Sequence, residues 1–242
     1  MNVHFARMGL LTAAISVAAA CSDDTGTETG SATEHGAFLF GHTETGGAGN
    51  TFTCATCHAA GSSGTRALPG ASLAGVTSRP SYWGGAVLDL LDAVNACRIT
   101  FMSAERPWLG SDEDARALYA YLSSLGPGDS AAAVFSVVRE TVDLPHGDAT
   151  RGAGAYARAC RACHGDRGTA AGRSDERIPA LPDDVARAHS PAFGYAPSDV
   201  RLVVIEKARH GAFLGYSGRM PPFSREALSD GDLADVLAFL GL

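Results

Sequence analysis

Apolar positions along this chain come in short clusters at helical spacing, separated by long stretches rich in Gly, Pro, Ser and Thr. After a polar stretch at 22–35, Gly36-Ala37-Phe38-Leu39-Phe40 predicts a short apolar helix. Val87, Leu88, Leu90, Leu91 and Val94, following Trp83, predict a second helix with a broad apolar face that runs into Cys97-Arg98-Ile99-Thr100-Phe101-Met102. Ala115, Leu118, Tyr119, Leu122 and Leu125 fall on one face of a third, with Ser111 as its N-cap, Asp114 completing a capping box and Gly126-Pro127-Gly128 ending it. The pattern then starts again. Ala153, Tyr156 and Ala157 mark a helix entering Cys160. Ser198 is expected to cap one carrying Leu202, Val203 and Ile205, and Ser229 to cap a last one carrying Leu233, Val236, Leu237 and Leu240. The reading is an all-α chain of two tandem units, 36–126 and 147–242, joined by a linker at 127–146 in which 134–142 is an extended segment against one of the units.

Two pentapeptides change the picture from helices to chemistry. Cys54-Ala55-Thr56-Cys57-His58 and Cys160-Arg161-Ala162-Cys163-His164 both read C-x-x-C-H, the attachment signature of a c-type haem. Thiols about one helical turn apart reach the two vinyl groups of one porphyrin. The histidine that follows presents an imidazole to the iron as proximal ligand. A four-cysteine zinc site built from the same pairs would leave both histidines unexplained. Two covalently bound haem c groups are therefore expected, and 29 glycines with abundant Ala suit small helical units wrapped on a large apolar cofactor.

The two units share a register. Cys54 and Cys160 are 106 residues apart; Met102 and Met220 are 118 apart, as are Ser111 and Ser229. The shared offset points to one module used twice, the second with a longer loop. Met102 and Met220 are candidate iron ligands, a thioether being a soft donor that favours ferrous iron. Cys97 competes with Met102, because it is an unpaired thiol that a ligand role would protect. His42, His146, His189 and His210 are weaker candidates.

The charge and the first residues add the cellular setting. Residues 1–20 carry Arg7 and then an apolar stretch too short to span a membrane comfortably, ending Ala18-Ala19-Ala20-Cys21. This resembles a bacterial lipoprotein signal, with Cys21 lipidated and 21–35 a flexible tether, although the usual Leu is missing; a plain secretory leader is the alternative. Export to the periplasmic side on a lipid anchor is expected, with the outer membrane slightly favoured. A net charge of −7 argues against nucleic acid and is compatible with a basic redox partner. No hydrolase triad, P-loop or dinucleotide fingerprint is present.

The motifs, their helices and Arg219-Met220-Pro221-Pro222-Phe223 resemble class I cytochrome c domains. That resemblance implies a small helical fold over each haem, His164 and Met220 as the axial pair of haem 2, and His58 with Met102 at haem 1. It also implies a proline carbonyl, here that of Pro179, accepting the proximal His N–H. Trp83, Tyr119, Tyr156 and Phe239 are expected to pack haem edges or helix contacts. Arg219 is a candidate partner for a haem propionate. The run Val94-Asn95-Ala96-Cys97-Arg98 with Met102 is similar to the haem domain of dihaem thiosulfate dehydrogenases and SoxA-like cytochromes, which implies Cys97 as an alternative ligand of haem 1. Where those enzymes carry a Lys beside the second-haem Met, this chain has Arg219, a poor iron ligand. The expected function is electron transfer by an exported dihaem cytochrome, haem to haem and on to other cytochromes, quinol-linked complexes or terminal oxidases. The alternative is a thiosulfate dehydrogenase-like oxidoreductase with haem 1, and Cys97, as its catalytic site.

Overall fold

The computed structural model describes residues 25–61, 64–127, 135–212 and 218–242. Residues 1–20 and Cys21 lie outside them. Among the described residues there are nine α-helices and no strand beyond a single bridge between Tyr82 and Val87, as the all-α reading expects. The first domain holds α1 (Thr25–Gly41), α2 (Cys54–Cys57), α3 (Leu90–Thr100) and α4 (Glu113–Ser124). The second holds α5 (Ala149–Ala159), α6 (Arg161–His164), α7 (Asp183–Ala188), α8 (Pro197–His210) and α9 (Asp230–Leu240).

Each domain is built on the crossing of its first helix with its last. The crossing is made close by a glycine: a Cβ on Gly36 of α1 would lie 2.0 Å from the Ala117 carbonyl oxygen of α4, and one on Gly152 of α5 would lie 1.9 Å from that of Asp235 in α9. One helical turn later an aromatic pair closes each crossing, Phe40 with Tyr121 and Tyr156 with Phe239, both with ring centroids 5.4 Å apart. The duplication visible in the methionines is therefore a duplication of the helix frame. Around the crossings lie two apolar cores, one on Leu39, Phe40, Trp108, Leu118 and Leu122, the other on Tyr156, Ile205, Leu233, Val236 and Leu237.

Several expected helix ends moved, each for a local reason. Helix α1 starts at Thr25 and so occupies most of the stretch read as a tether. Its Ser/Thr/Gly content argues against a helix on propensity alone; its C-terminal half is held on α4, with His35 Nε2 3.2 Å from Asp114 Oδ1 and Gly36 at the crossing. Ser111 does not cap α4; Asp112 holds that position, its carboxylate taken by the Leu109 N–H and the Arg106 guanidinium, both at 3.0 Å. Ser198 does not cap α8 either. The helix begins at Pro197, whose fixed φ suits the first turn, and Asp199 reaches back to the Ala196 N–H at 2.7 Å. Ser229 caps α9 as expected, accepting from the Asp232 N–H at 3.0 Å. The short helix α7 had no sequence signal.

The two domains are in contact. The Ala67 N–H donates to the Arg158 carbonyl at 3.2 Å, and Arg177 to that of Gly49 at 2.7 Å. Phe52, Phe101 and Met102 of the first domain form one apolar cluster with Cys163, Ile178 and Ala212 of the second. The non-helical linker at 135–146 touches both domains: Phe135 meets the ring of Trp83 edge-on at 6.1 Å, and the Ser136 N–H donates to Glu226 at 3.0 Å.

Candidate haem sites

In the first domain a capping box between Thr53 and Thr56 starts the single turn α2, which sets Cys54 and Cys57 side by side. The His58 N–H closes that turn on the Cys54 carbonyl at 2.8 Å. His58 Nδ1 lies 2.8 Å from the Ala71 carbonyl oxygen. A carbonyl only accepts, so Nδ1 carries the proton and Nε2 keeps its lone pair for a metal. Burial lowers the pKa of this ring and keeps it neutral. A side chain on Gly70 would displace it: a Cβ there would lie 2.3 Å from His58 Cε1.

Beside His58 opens an apolar cavity of about 1240 Å³ including its mouth. Cys54, Cys57 and His58 belong to its lining, as do Cys97, Met102, Leu118 and Leu122. Burial pushes the Cys54 thiol up to about 11 and Cys57 up to about 12, so both remain protonated. Burial raises Cys97 as well, with the thiols of Cys57 and Cys54 adding to the effect. The donor set fits a haem: two thiols, a neutral imidazole with a free Nε2 and two further sulfur donors, all in apolar walls.

The second site repeats the proximal half. Helix α5 runs into Cys160, and the single turn α6 brings up His164, whose N–H bonds the Cys160 carbonyl at 2.9 Å. His164 Nδ1 lies 2.9 Å from the carbonyl oxygen of Pro179, the proline singled out in the sequence. In the first domain Ala71 does this work instead. The Tyr156 hydroxyl donates to the Gly165 carbonyl at 2.9 Å and ties α5 to the residue after the histidine. Burial lifts Cys160 to about 12 and lowers His164. Met220 is half-buried and packs, with Cys160, on the core of its own domain.

The two methionines differ once the backbone is traced. Ser103, after Met102, has φ of 60°. Pro221, after Met220, is held by its ring near −65°. The chain therefore leaves the two residues in opposite backbone regions despite their common offset. Met102 packs into the cluster between the domains, whereas Met220 faces its own core. The Met102 carbonyl accepts from Gly47, in the loop before the first motif; the Met220 carbonyl accepts from Ala212, just past α8.

Other sequence candidates separate clearly. Trp83 stacks against Phe101 with centroids 6.0 Å apart and lines the cavity. Tyr119 is 54% exposed and does not pack; the aromatic partner on α4 is Tyr121, because the crossing with α1 selects the other face of the helix. Arg219 and His146 are exposed. His42 stacks on Phe38 at 3.9 Å, and His189 meets Tyr195 at 5.2 Å. His210 is buried on α8. Sequence reasoning missed three buried arginines, Arg98, Arg201 and Arg209, of which Arg98 and Arg209 reach the segments after the methionines. Arg98 precedes Met102 by four residues and Arg209 precedes Met220 by eleven, so comparing offsets hid their kinship.

Two helical domains, each presenting a C-x-x-C-H turn whose histidine is oriented by a backbone carbonyl, define a c-type cytochrome. A family described as cytochrome c oxidase, cbb3-type, subunit III, matches residues 42–122 and 147–240, and the chain belongs to it. The family supports covalently bound haem c as the cofactor, two haems being consistent with the two domains, and an electron-transfer role. No curated protein matches the chain. Among solved structures, thiosulfate dehydrogenase (TsdBA) from Marichromatium purpuratum, as isolated, is similar at 22% identity and a TM-score of 0.42. That match covers 88% of this chain and 45% of the other, so the chain spans less than half of that protein.

Proposed function

We propose that this chain is an exported dihaem cytochrome, anchored through Cys21, that passes electrons between its haems and on to another cytochrome, a quinol-linked complex or a terminal oxidase. The reading rests on the meeting of the two motifs at the domain interface. Cys163 packs among Phe52, Phe101 and Met102 of the other domain, and Pro221 and Pro222, next to Met220, belong to the lining of the first cavity. Cys57 and Cys163, the second thiols of the two motifs, lie close enough to interact, so haems held by the two motifs would lie near each other, and tunnelling rates fall steeply with separation. His58 and His164 are the proximal ligands, and Met220 the distal ligand of haem 2. A rapid-mixing experiment with a one-electron donor tests the reading: equilibration between the haems proceeds at a rate independent of protein concentration. A second haem that is reduced only in a bimolecular step overturns it. Export and anchoring rest on residues 1–21 alone, and the mass of the mature N-terminal peptide tests them.

At haem 1 two sulfur donors compete, and the geometry favours Cys97 over Met102. Arg98 near the end of α3 and Arg209 near the end of α8 each reach the carbonyl four residues after the methionine of their domain, which pairs the residue before each, Cys97 with Ala208. The first domain thus offers a half-buried thiol where the second offers a methyl group; Met102 lines the same cavity but also packs in the cluster that meets the second domain. Low-temperature EPR on Cys97→Ala and Met102→Ala decides: the variant that removes the ligand changes the haem 1 signal. Thiolate ligation supports the second reading, oxidation of a sulfur compound at haem 1. That reading fails if thiosulfate leaves both haems oxidised.

A further inference from the structure

Arg209 is 4% exposed at the end of α8, and Arg98 6% exposed near the end of α3. A buried guanidinium is costly unless its donors are satisfied. Arg209 Nη1 faces the carbonyl oxygens of Phe223 at 3.1 Å, Ser224 at 3.4 Å and Leu228 at 2.8 Å, while Nη2 pairs with Asp230 Oδ1 at 2.7 Å. Three of these four partners lie between Met220 and α9, and Asp230 is the first residue of α9. Arg98 follows the same plan with different acceptors. Its Nη1 meets Asn95 Oδ1 at 3.2 Å and the Arg106 carbonyl at 3.3 Å, and its Nε donates to the Thr45 carbonyl at 2.8 Å. The guanidinium lies over the Trp108 ring, 3.7 Å from its centroid. Each arginine thereby reaches the carbonyl four residues after the methionine of its domain, Ser224 or Arg106. Asn95 adds a two-way bond to the Trp108 backbone, at 2.8 and 2.9 Å.

We propose that Arg209 is a positioning residue that fastens the segment carrying the distal side of haem 2 to the helix beside it; Arg98 ties the corresponding segment of its own domain to α3. The proposal rests on the reading of Met220 as a ligand of haem 2. With the segment from Met220 to Asp230 tied at four points, the Met220 thioether would be kept within reach of a bound haem iron. A thioether ligand raises the potential only while it stays bound. The strap is therefore a determinant of haem 2 potential that touches neither haem nor ligand. A planar fork bonding several carbonyls at once is a task for Arg; Lys supplies the charge without the fork.

The test uses the full holoprotein with Arg209→Gln and Arg209→Lys. The readouts are haem content, the iron–thioether charge-transfer band and the midpoint potentials of both haems. Arg209→Gln is expected to keep two haems per chain, lose most of that band and lower the haem 2 potential, leaving haem 1 unchanged; Arg209→Lys recovers part of both. Unchanged band and potentials in a folded Arg209→Gln protein overturn the proposal, as does a loss of stability alone. Should Arg209→Gln yield no holoprotein, Asp230→Asn removes one tie and is expected to shift the potential in the same direction; silence in both Asp230→Asn and Arg209→Lys overturns the proposal. Met220→Ala separates the two layers. If it leaves the band intact, the ligand reading itself has failed. If it removes the band while the Arg209 variants do not, only the strap has failed.

Discussion

Replacing Gly152 by Ala adds one methyl group at the tightest point of the crossing between α5 and α9. The new Cβ would stand 1.9 Å from the Asp235 carbonyl oxygen and 2.6 Å from its carbon, both backbone atoms held by a helix. Non-bonded carbon and oxygen atoms need more than 3 Å, so α5 has to withdraw by about 1 Å. A gap of that size forfeits about a quarter to a half of the dispersion energy of the affected contacts, here Ala155 and Tyr156 against Leu233, Val236 and Leu237. Overpacking of this kind costs about 1–3 kcal/mol. Against it stands the gain of about 1 kcal/mol from Gly to Ala inside a helix. Gly154, two residues on in the same helix, isolates that gain, because a Cβ there meets only the end of the Arg158 side chain at 3.5 Å. Thermal unfolding of the holoprotein should place Gly152→Ala below the wild type and Gly154→Ala above it by ~2–4 °C. Because α5 leads directly into Cys160, the Gly152 variant should also perturb the haem 2 spectrum. Equal shifts in the two variants, or a stabilised Gly152→Ala, would refute the reasoning that the crossing distance dominates.

Two further outcomes follow from the same helix pair. Tyr156→Phe leaves the buried Gly165 carbonyl without its donor and is expected to lose about 1–2 kcal/mol, measured by denaturant unfolding, while Phe40→Tyr in the other domain gives no comparable gain. Asp235 takes hydrogen bonds from Arg151 at 2.8 and 2.9 Å and from the Asp148 N–H at 2.6 Å, and these hold its carboxyl below the usual range, Arg151 contributing most. A depressed folded pKa means that the stabilisation is complete above the unfolded value of about 4 and is lost as pH falls through the folded one. The wild type should therefore lose melting temperature on acidification below about pH 4 more steeply than Asp235→Asn, and parallel profiles would count against this carboxylate.

Much of this protein is legible in one dimension. The two C-x-x-C-H turns, the helices around them and the duplication follow from local spacing, because attachment of a porphyrin needs two thiols and an imidazole within one helical turn. Pro179, fifteen residues from His164, was found where the sequence pointed. The capping serines show the limit: Ser229 and Ser111 share an offset, yet only Ser229 caps, because Arg106 and the Leu109 N–H draw Asp112 into the place expected for Ser111. Helix α1 shows it again, since it begins in residues of poor helix propensity and meets α4 from about His35 onward.

What the sequence determined by itself was the cofactor chemistry and the count of modules, since both are properties of short, contiguous segments. Tertiary structure decided which side of each module faces the other. Equal spacing of Met102 and Met220 does not make them equal, because a positive φ at Ser103 and a proline at 221 send the chain in different directions. The arginines that tie down the distal segments were invisible for the same physical reason. Their partners are backbone carbonyls up to 53 residues away, and a carbonyl leaves no mark in the sequence to say which guanidinium it will meet.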